Sequence, residues 1–375
     1  MRTLKVINQD LNSRIVSLIR HGQATSRGVL ADVLNTSPST MGLYVDDLIA
    51  RGFLEESGLE QKGVGRPKRL LRILPHSGWF AGIEFTVGRL RALRLDFAGN
   101  PVEGHVWSIP EDIHKKQLLR RICEAVDLLR QGAAGPLLGV GAGSPGFVDP
   151  DNGRVIYSQF SIDWKQVPLA EILTSEFSVP ASVNNNLNAI ATAERWFGAG
   201  QEMDDFAVIR ARNSFGMALI KDRALLPATH HAAGEIGMWP WTSQGGGVGQ
   251  LQQVLSARAV WLRLTGEKTA PDDLREAFLQ LADSSATAGP LWESVIDDFA
   301  KALGMVQLIV DSGAFLLHGP LTNLGIRFCD EINARAGVLL PALEHSPINL
   351  RPTSLGPDAG ALGAAAFAME AWNIQ

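Results

Sequence analysis

The chain has 375 residues, 46% of them hydrophobic and 19% charged, an ordinary globular composition at a length that suggests two or three domains. No apolar run approaches the roughly 20 residues needed to cross a bilayer. The opening MRTLKVINQDLNSR lacks an apolar core followed by a small-residue cleavage site, so neither a membrane span nor a secretory leader is expected. Cys123 and Cys329 lie far apart in apolar or helix-like contexts, which fits buried free thiols in a reducing cytoplasm.

The net charge of −5 is unevenly spread. Residues 1–76 hold eleven Lys/Arg against seven Asp/Glu, a surplus of four, which leaves the remainder at −9. A basic head on an acidic body implies a head that meets an anionic partner.

In the head, Leu11, Ile15, Leu18 and Ile19 are spaced as one face of a helix over 11–21, ended by Gly22. Ser26 is placed to cap a second helix, with Val29, Leu30, Val33 and Leu34 facing inward. Asn35-Thr36 forms a tight turn. Ser37 then caps a third helix with Pro38 at its first position, where a missing N–H costs nothing. Met41, Val45, Leu48 and Ile49 form the buried stripe of that helix, which leaves Ser39, Thr40, Gly42, Leu43 and Tyr44 largely on the open side. Helix, helix, short turn, helix is the pattern in which the last helix enters a major groove by its N-terminal residues. Ser37, Ser39, Thr40 and Tyr44 are therefore the expected contacts to base edges or phosphates. An all-helical protein-binding module is the alternative.

The following residues favour DNA. Two short strands, 53–57 and 69–74, flank a loop in which Gly63 and Gly65 permit a sharp bend. Lys62, Arg66, Lys68, Arg69 and Arg72 bring five positive charges and no negative ones. A Gly-Arg-Pro unit in an extended loop can enter a minor groove. A solvated loop is the alternative for any charge run, but this one stands at the spacing of a wing. Arg66, Lys68 and Arg69 are the expected wing contacts.

From about residue 78 the pattern is α/β. Residues 78–109 read as three strands, with turns at Thr86-Val87-Gly88 and Gly99-Asn100-Pro101. An amphipathic helix follows over 111–132. PLLGVGAG (136–143) reads as a buried strand leading into a Gly-rich loop, and 204–226 as another hairpin. Residues 293–313 read as a helix, 313–321 as a strand and turn, and 356–372 as a small-residue helix packed tightly on a neighbour. The repeated pattern suggests two similar half-domains flanking a cleft.

Several stretches together resemble the ROK family, which unites sugar-responsive repressors with sugar kinases of the actin-like ATPase fold. They are GSPGFVDPDNGRVIYSQFSIDWKQVPLAEIL (143–173), NNNLNAIATAERWFGAG (184–200), HHAAGEIGM (230–238) and LGPDAGALGAAAFAME (355–370), together with the Gly-Arg-Pro wing. The resemblance covers nearly the whole chain. It implies an α/β, two-lobed actin-like fold carrying an N-terminal winged helix-turn-helix. The expected division is a DNA-binding domain at 1–76, lobe 1 at 77–200, and lobe 2 at 201–375 with the last helix returning to lobe 1.

The resemblance also defines what has changed. Family kinases use Asp-Ile-Gly-Gly-Thr at the nucleotide phosphates, and the matching run here is Glu84-Phe85-Thr86-Val87-Gly88. Side chains stand where bare backbone is needed. A second Gly-Thr-Gly loop corresponds to Arg212-Asn213-Ser214. The catalytic Asp of the family's Glu-Asn-Asp motif corresponds to Asn186 in Asn184-Asn185-Asn186, and an amide cannot accept the proton. Loss of a general base costs on the order of 10²–10⁴ in rate, so no catalytic residue is expected. The family's zinc site, one His and three Cys, maps to Met238, Ser243, Gly245 and Gln250, which leaves no thiolate for a metal. No cofactor is expected.

Retained positions are Gly143 and Ser144 in the sugar-approaching loop, Asn185 and Glu235 at sugar contacts, with Asn186 beside them. They imply a ligand-binding cleft for a sugar or sugar derivative. The combined expectation is a cytoplasmic regulator, a repressor, bound to double-stranded operator DNA as a homodimer or homotetramer, with no membrane partner. The rivals are a sugar kinase with a DNA-binding appendage and a DNA-binding scaffold that needs no ligand.

Overall fold

The computed structural model describes residues 10–60, 68–158, 163–242 and 247–374. The chain forms two compact units, Met1–Ala189 with Gly360–Gln375, and Ile190–Ala359.

The first unit opens with three helices, α1 (Leu11–Arg20), α2 (Arg27–Leu34) and α3 (Pro38–Ala50). Asp10 caps α1 by accepting from the Ser13 N–H at 2.7 Å. Ser37 caps α3 by accepting from Thr40 N–H at 3.1 Å, with Pro38 in the first turn as expected. Asn35 makes the turn between α2 and α3 in the left-handed region, φ 50°. Met41, Val45 and Leu48 are fully buried and Ile49 partly so. Two expectations are corrected in α2. Its inward residues are Leu30 and Ala31, while Val33 is 36% exposed, because an eight-residue helix wedged against α3 buries about one turn. Ser26 stands at the N-cap but makes no capping bond, and its hydroxyl is itself buried. The antiparallel ribbon β1 (Leu54–Glu60) and β2 (Lys68–Ile73) follows, with a bulge at Glu56/Gly58.

The body of this unit is a five-stranded sheet. Its strands are β3 (Trp79–Thr86), β4 (Arg89–Asp96), β5 (Pro101–Ser108), β6 (Leu137–Ser144), reached through the helix α4 (Lys115–Arg130), and a last strand described next. A small antiparallel sheet, β7 (Phe147–Asp149), β8 (Arg154–Tyr157) and β9 (Lys165–Val167), leads into α5 (Leu169–Phe177) and then β10 (Ala181–Asn185). The order is β10-β6-β3-β4-β5, with β3-β4-β5 antiparallel and β3-β6-β10 parallel. Strand alternation divides the two faces. Trp79, Ala81, Ile83 and Phe85 pack in a core with Leu118, Ile122, Val126 and Leu129 of α4. The opposite face of β3 and β6 presents Gly82, Gly139, Gly141 and Gly143. Gly82 lies in β3 and the other three in β6, the strand expected over 136–143, and they receive two helices, α6 (Asn186–Phe197) and the last helix of the chain.

The second unit repeats the strand order. β11 (Phe206–Ala211), β12 (Phe215–Lys221) and β13 (Ala224–Leu225) form an antiparallel meander. The hairpin β14 (Pro240–Thr242) and β15 (Val248–Gln250) follows, and then α7 (Gln252–Leu255), α8 (Ala257–Thr265), α9 (Leu274–Leu281) and α10 (Pro290–Val310). β16 (Phe315–His318), α11 (Ile326–Leu339) and β17 (Leu350–Pro352) complete the unit. The sheet order is β13-β12-β11-β16-β17, with β11, β16 and β17 parallel. Its core sets Phe215 edge-on to Phe299 at 5.8 Å and Phe299 edge-on to Phe328 at 5.3 Å between ring centroids. The last helix, α12 (Ala359–Ala371), then enters the first unit.

Candidate functional site

In the head, cap chemistry sets which side chains of α3 stay available. The Ser37 hydroxyl is engaged by Thr40 N–H and lies 2.8 Å from the Thr40 hydroxyl, so both residues hold the start of the helix. Ser39, Thr40, Leu43 and Tyr44 are exposed, Leu43 to 73%. On the ribbon, Lys68 and Arg69 are exposed. Arg69 and Arg27 both pair with Glu56, and Arg27 also reaches Asp46 at 2.6 Å. Hydrogen bonds from Arg27 and Arg69 hold the Glu56 carboxyl below the usual carboxylate range. For Arg69 to meet a phosphate it must exchange a carboxylate for it. Arg66 lies outside the described residues.

In the first unit, β6 and β10 run parallel, so Gly143 lies opposite Asn184 and Ser144 opposite Asn185. This brings Gly143, Ser144, Asn185 and Asn186 together at the carboxyl ends of adjacent parallel strands, the end at which open α/β sheets bind ligands. Their side chains are already engaged. Asn185 Oδ1 accepts from Leu187 N–H at 2.7 Å, capping α6, while its amide donates to the Gly146 carbonyl at 2.6 Å. Ser144 is fully buried, donating to the Pro145 carbonyl at 3.1 Å and accepting from the Trp164 indole at 3.3 Å. Asn186 is 1% exposed, with its Cα near the position a Cβ on Gly143 would occupy, 3.4 Å away. Asn184 Oδ1 accepts from Asn185 N–H and from the Asn188 amide at 2.8 and 2.9 Å. The asparagine cluster is thus first a helix cap tied to a loop. Asn184, Asn185 and Asn188 are partly exposed and keep hydrogen-bonding capacity for a ligand.

Glu235 lies in the second unit, just before a short 3₁₀ turn, Ile236–Met238. The preceding Gly234 has φ +87°, and its carbonyl accepts from Met217 N–H at 2.8 Å, which lays the segment over β12. Burial raises the Glu235 carboxyl above its ordinary value, against the lowering influence of Arg210. Arg210 reaches the Ser214 hydroxyl at 3.5 Å across the turn 211–214. In the parallel register Arg210 is opposite His318, whose Nδ1 lies 3.3 Å from the Thr353 hydroxyl. A cavity of about 540 Å³ bordered by Met203, Asp205, Asp311, Asn349 and Arg351 opens at the other end of these strands.

The two turns that correspond to phosphate loops carry side chains. Val87 is 41% exposed between β3 and β4. Arg212 closes its turn through its N–H to the Ser214 carbonyl at 2.9 Å. Among the described residues no group of three His, Cys, Asp or Glu is arranged to hold a metal, and Ser243 and Gly245 lie outside them. Both cysteines are free, with burial pushing Cys329 up to about 12 and Cys123 up to about 11. Among the described residues no helix is long and apolar enough to cross a membrane.

Two structural elements escaped sequence reading. One is Glu194 in α6, fully buried, which accepts from Ala199 N–H at 2.9 Å and Leu355 N–H at 3.1 Å and so fixes the strand-to-helix loop before α12. The other is an aromatic cluster around Trp372, in which Arg20 is partly buried.

The ROK family profile matches residues 80–371. The chain is 26% identical over 265 residues to a protein named xylose repressor of Caldicellulosiruptor bescii, a match covering 68% of this chain and 65% of that one, just under two thirds of the repressor's length. It is 27% identical over 312 residues to a glucokinase of Halalkalibacterium halodurans, covering 76% and 93%. Among solved structures, a ROK family transcriptional regulator described as a homologue of the E. coli Mlc protein superimposes with a TM-score of 0.78 at 20% identity, covering 96% of this chain and 94% of that one. At that identity the likeness establishes the two-lobed fold with its N-terminal extension.

Proposed function

We propose that this chain, which belongs to the ROK family, is a DNA-binding transcriptional regulator, a repressor, whose kinase-like body senses a carbohydrate without phosphorylating it. The observation that carries the reading is Asn186. Phosphotransfer needs a carboxylate beside the sugar hydroxyl to take its proton. The residue at that position is an amide, 1% exposed, in a cluster whose groups already cap a helix. The side chains of Val87 and Arg212 at the two phosphate turns support the same conclusion. A relative named xylose repressor supports a sugar as the effector class.

The open face of α3 and the cationic ribbon support operator binding, with Ser39, Thr40 and Tyr44 in the major groove and Arg66, Lys68 and Arg69 at the wing. Ser37 acts by holding the helix start. Three parts are proposed: the winged helix 1–76, lobe 1 at 77–200 and lobe 2 at 201–375, with the last helix returning to lobe 1. Asn185, with Gly143, Ser144 and Asn186 shaping its surroundings, and Glu235 are the proposed ligand contacts. Two free thiols fit a reducing cytoplasm. A homodimer or homotetramer would match a palindromic operator.

The glucokinase relative keeps phosphotransfer as the second reading. A coupled assay of ATP turnover with a hexose and pentose panel separates the two. The expected result is no sugar-dependent turnover above buffer, and robust turnover would overturn the proposal.

A further inference from the structure

The chain passes between its units twice, at Ala189/Ile190 inside α6 and at Ala359/Gly360 at the start of α12. Just inside the first unit, these two helices cross in close backbone contact. A Cβ built on Gly363 would lie 1.7 Å from the Ala189 carbonyl oxygen. Three residues before Ala189 is Asn186, the first residue of α6 and part of the proposed ligand site.

From that crossing α12 runs along the glycine face of the sheet. A Cβ on Gly82 would stand 2.0 Å from the Ala361 carbonyl oxygen, and one on Gly141 1.7 Å from that of Ala364. At these two contacts backbone rests on backbone, with no long side chain between to take up a shift, and packed interiors transmit displacement. Over 13 residues the helix spans about 20 Å at 1.5 Å per residue.

Its far end reaches the winged helix. Trp372 is 5% exposed, with its ring edge-on to Phe97 at 5.0 Å and to Phe53 at 5.6 Å. Phe97 also meets Phe53 at 5.2 Å. Arg20, the last residue of α1, donates to the Phe97 carbonyl at 2.7 and 3.2 Å through Nη2 and Nε, with its guanidinium 5.1 Å from the Phe97 ring centroid. Burial pulls the Arg20 guanidinium down to about 9, which leaves it charged at neutral pH. Two backbone-to-side-chain bonds complete the junction: Asp10 N–H donates to Asn373 Oδ1 at 3.2 Å and Ile374 N–H to the Ser13 hydroxyl at 3.0 Å. The head is therefore fastened at α1 and at Phe53, which follows α3, by residues that come after α12.

We propose that α12 is a rigid relay, which carries a displacement of the first turn of α6 through the Ala189–Gly363 crossing to the winged helix, with Trp372 and Arg20 as its latch. The relay rests on the functional reading above, but the latch does not.

Hydrogen–deuterium exchange on the full-length wild type, Trp372→Ala and Trp372→Phe tests the latch without DNA or sugar. In Trp372→Ala the amides of α1 and of residues 53–57 should exchange about tenfold faster while β11 and β16 are unchanged, and Trp372→Phe should remain near wild type. Unchanged exchange in α1, or an equal increase throughout the chain, overturns the latch. The relay is tested by affinity for a DNA fragment selected from genomic fragments by the wild type, with and without xylose, glucose or N-acetylglucosamine. A sugar effect of about fivefold or more in the wild type should fall below about twofold in both Trp372→Ala and Gly363→Ala. A full response in either variant overturns the relay. A wild type that ignores every sugar overturns the functional reading, and the exchange result alone then decides the latch.

Discussion

The two sheets share one strand order and differ in what covers them. In the first unit, glycines of β3 and β6 meet alanine backbone of α12. In the second, rings of Phe215, Phe299, Phe328 and Trp292 fill the space between sheet and helices. Rings can rotate and repack, whereas a carbonyl oxygen within 2.0 Å of where a Cβ would stand cannot yield without moving the helix. The same topology has thus been finished once as a deformable core and once as a stiff contact, and the stiff one carries the winged helix at its end.

That contrast can be broken by substitution. Phe299→Ala should have the largest effect, about 3–5 kcal/mol through lost burial and a cavity, while Phe299→Leu should recover most of it. Gly141→Val should cost about 3 kcal/mol, the upper end of overpacking, and unlike the Phe299 site this one should reject even Gly141→Ala. Unit-resolved hydrogen exchange measures both, since a single global transition is not assured for two units. If Gly141→Ala leaves exchange in β3, β6 and α12 unchanged, the stiff-contact distinction fails.

The remaining effects sharpen the contrast functionally. Arg66→Ala should reduce the salt dependence of DNA binding by about one phosphate contact. A fluorescence-anisotropy salt titration checks this, and an unchanged slope counts against the wing. The smallest effect belongs to Glu235. Its folded carboxyl is raised above the ordinary 4.5, so folding favours the protonated form. Its contribution is fully present below pH 4.5 and is lost as pH rises through the raised value. Glu235→Gln should flatten stability against pH in that window, measured by thermal melts from pH 4 to 7. An identical pH profile would show that burial does not act on this group.

The head was legible because local rules govern it. Ser37-Pro38 announces a helix start, and Met41, Val45 and Leu48 announce its buried stripe. Val33 was misassigned because an eight-residue helix gives too few turns to fix its phase. Strands and hairpin turns were legible from apolar runs and turn residues, whereas their order in the two sheets came only from the fold. Asn185 carried a signal that was read only as ligand chemistry, since an Asn immediately before a helix is first of all a cap. PLLGVGAG was legible as a buried strand, but one-sequence patterning cannot show that α12 lies against its glycines. The latch was invisible for a different reason. Phe53, Phe97 and Trp372 are each ordinary apolar residues, and only the fold brings residue 372 to residue 53.

The most direct measurement is selection of genomic DNA fragments by the full chain, followed by mobility shift of the recovered duplexes with wild type and Thr40→Ala. Enrichment of duplexes carrying two inverted half-sites, bound at least tenfold more weakly by the variant (about 1.4 kcal/mol, within the range for a base contact), is the predicted result. Recovery of no sequence above background, or equal binding by both proteins, would contradict DNA reading through α3.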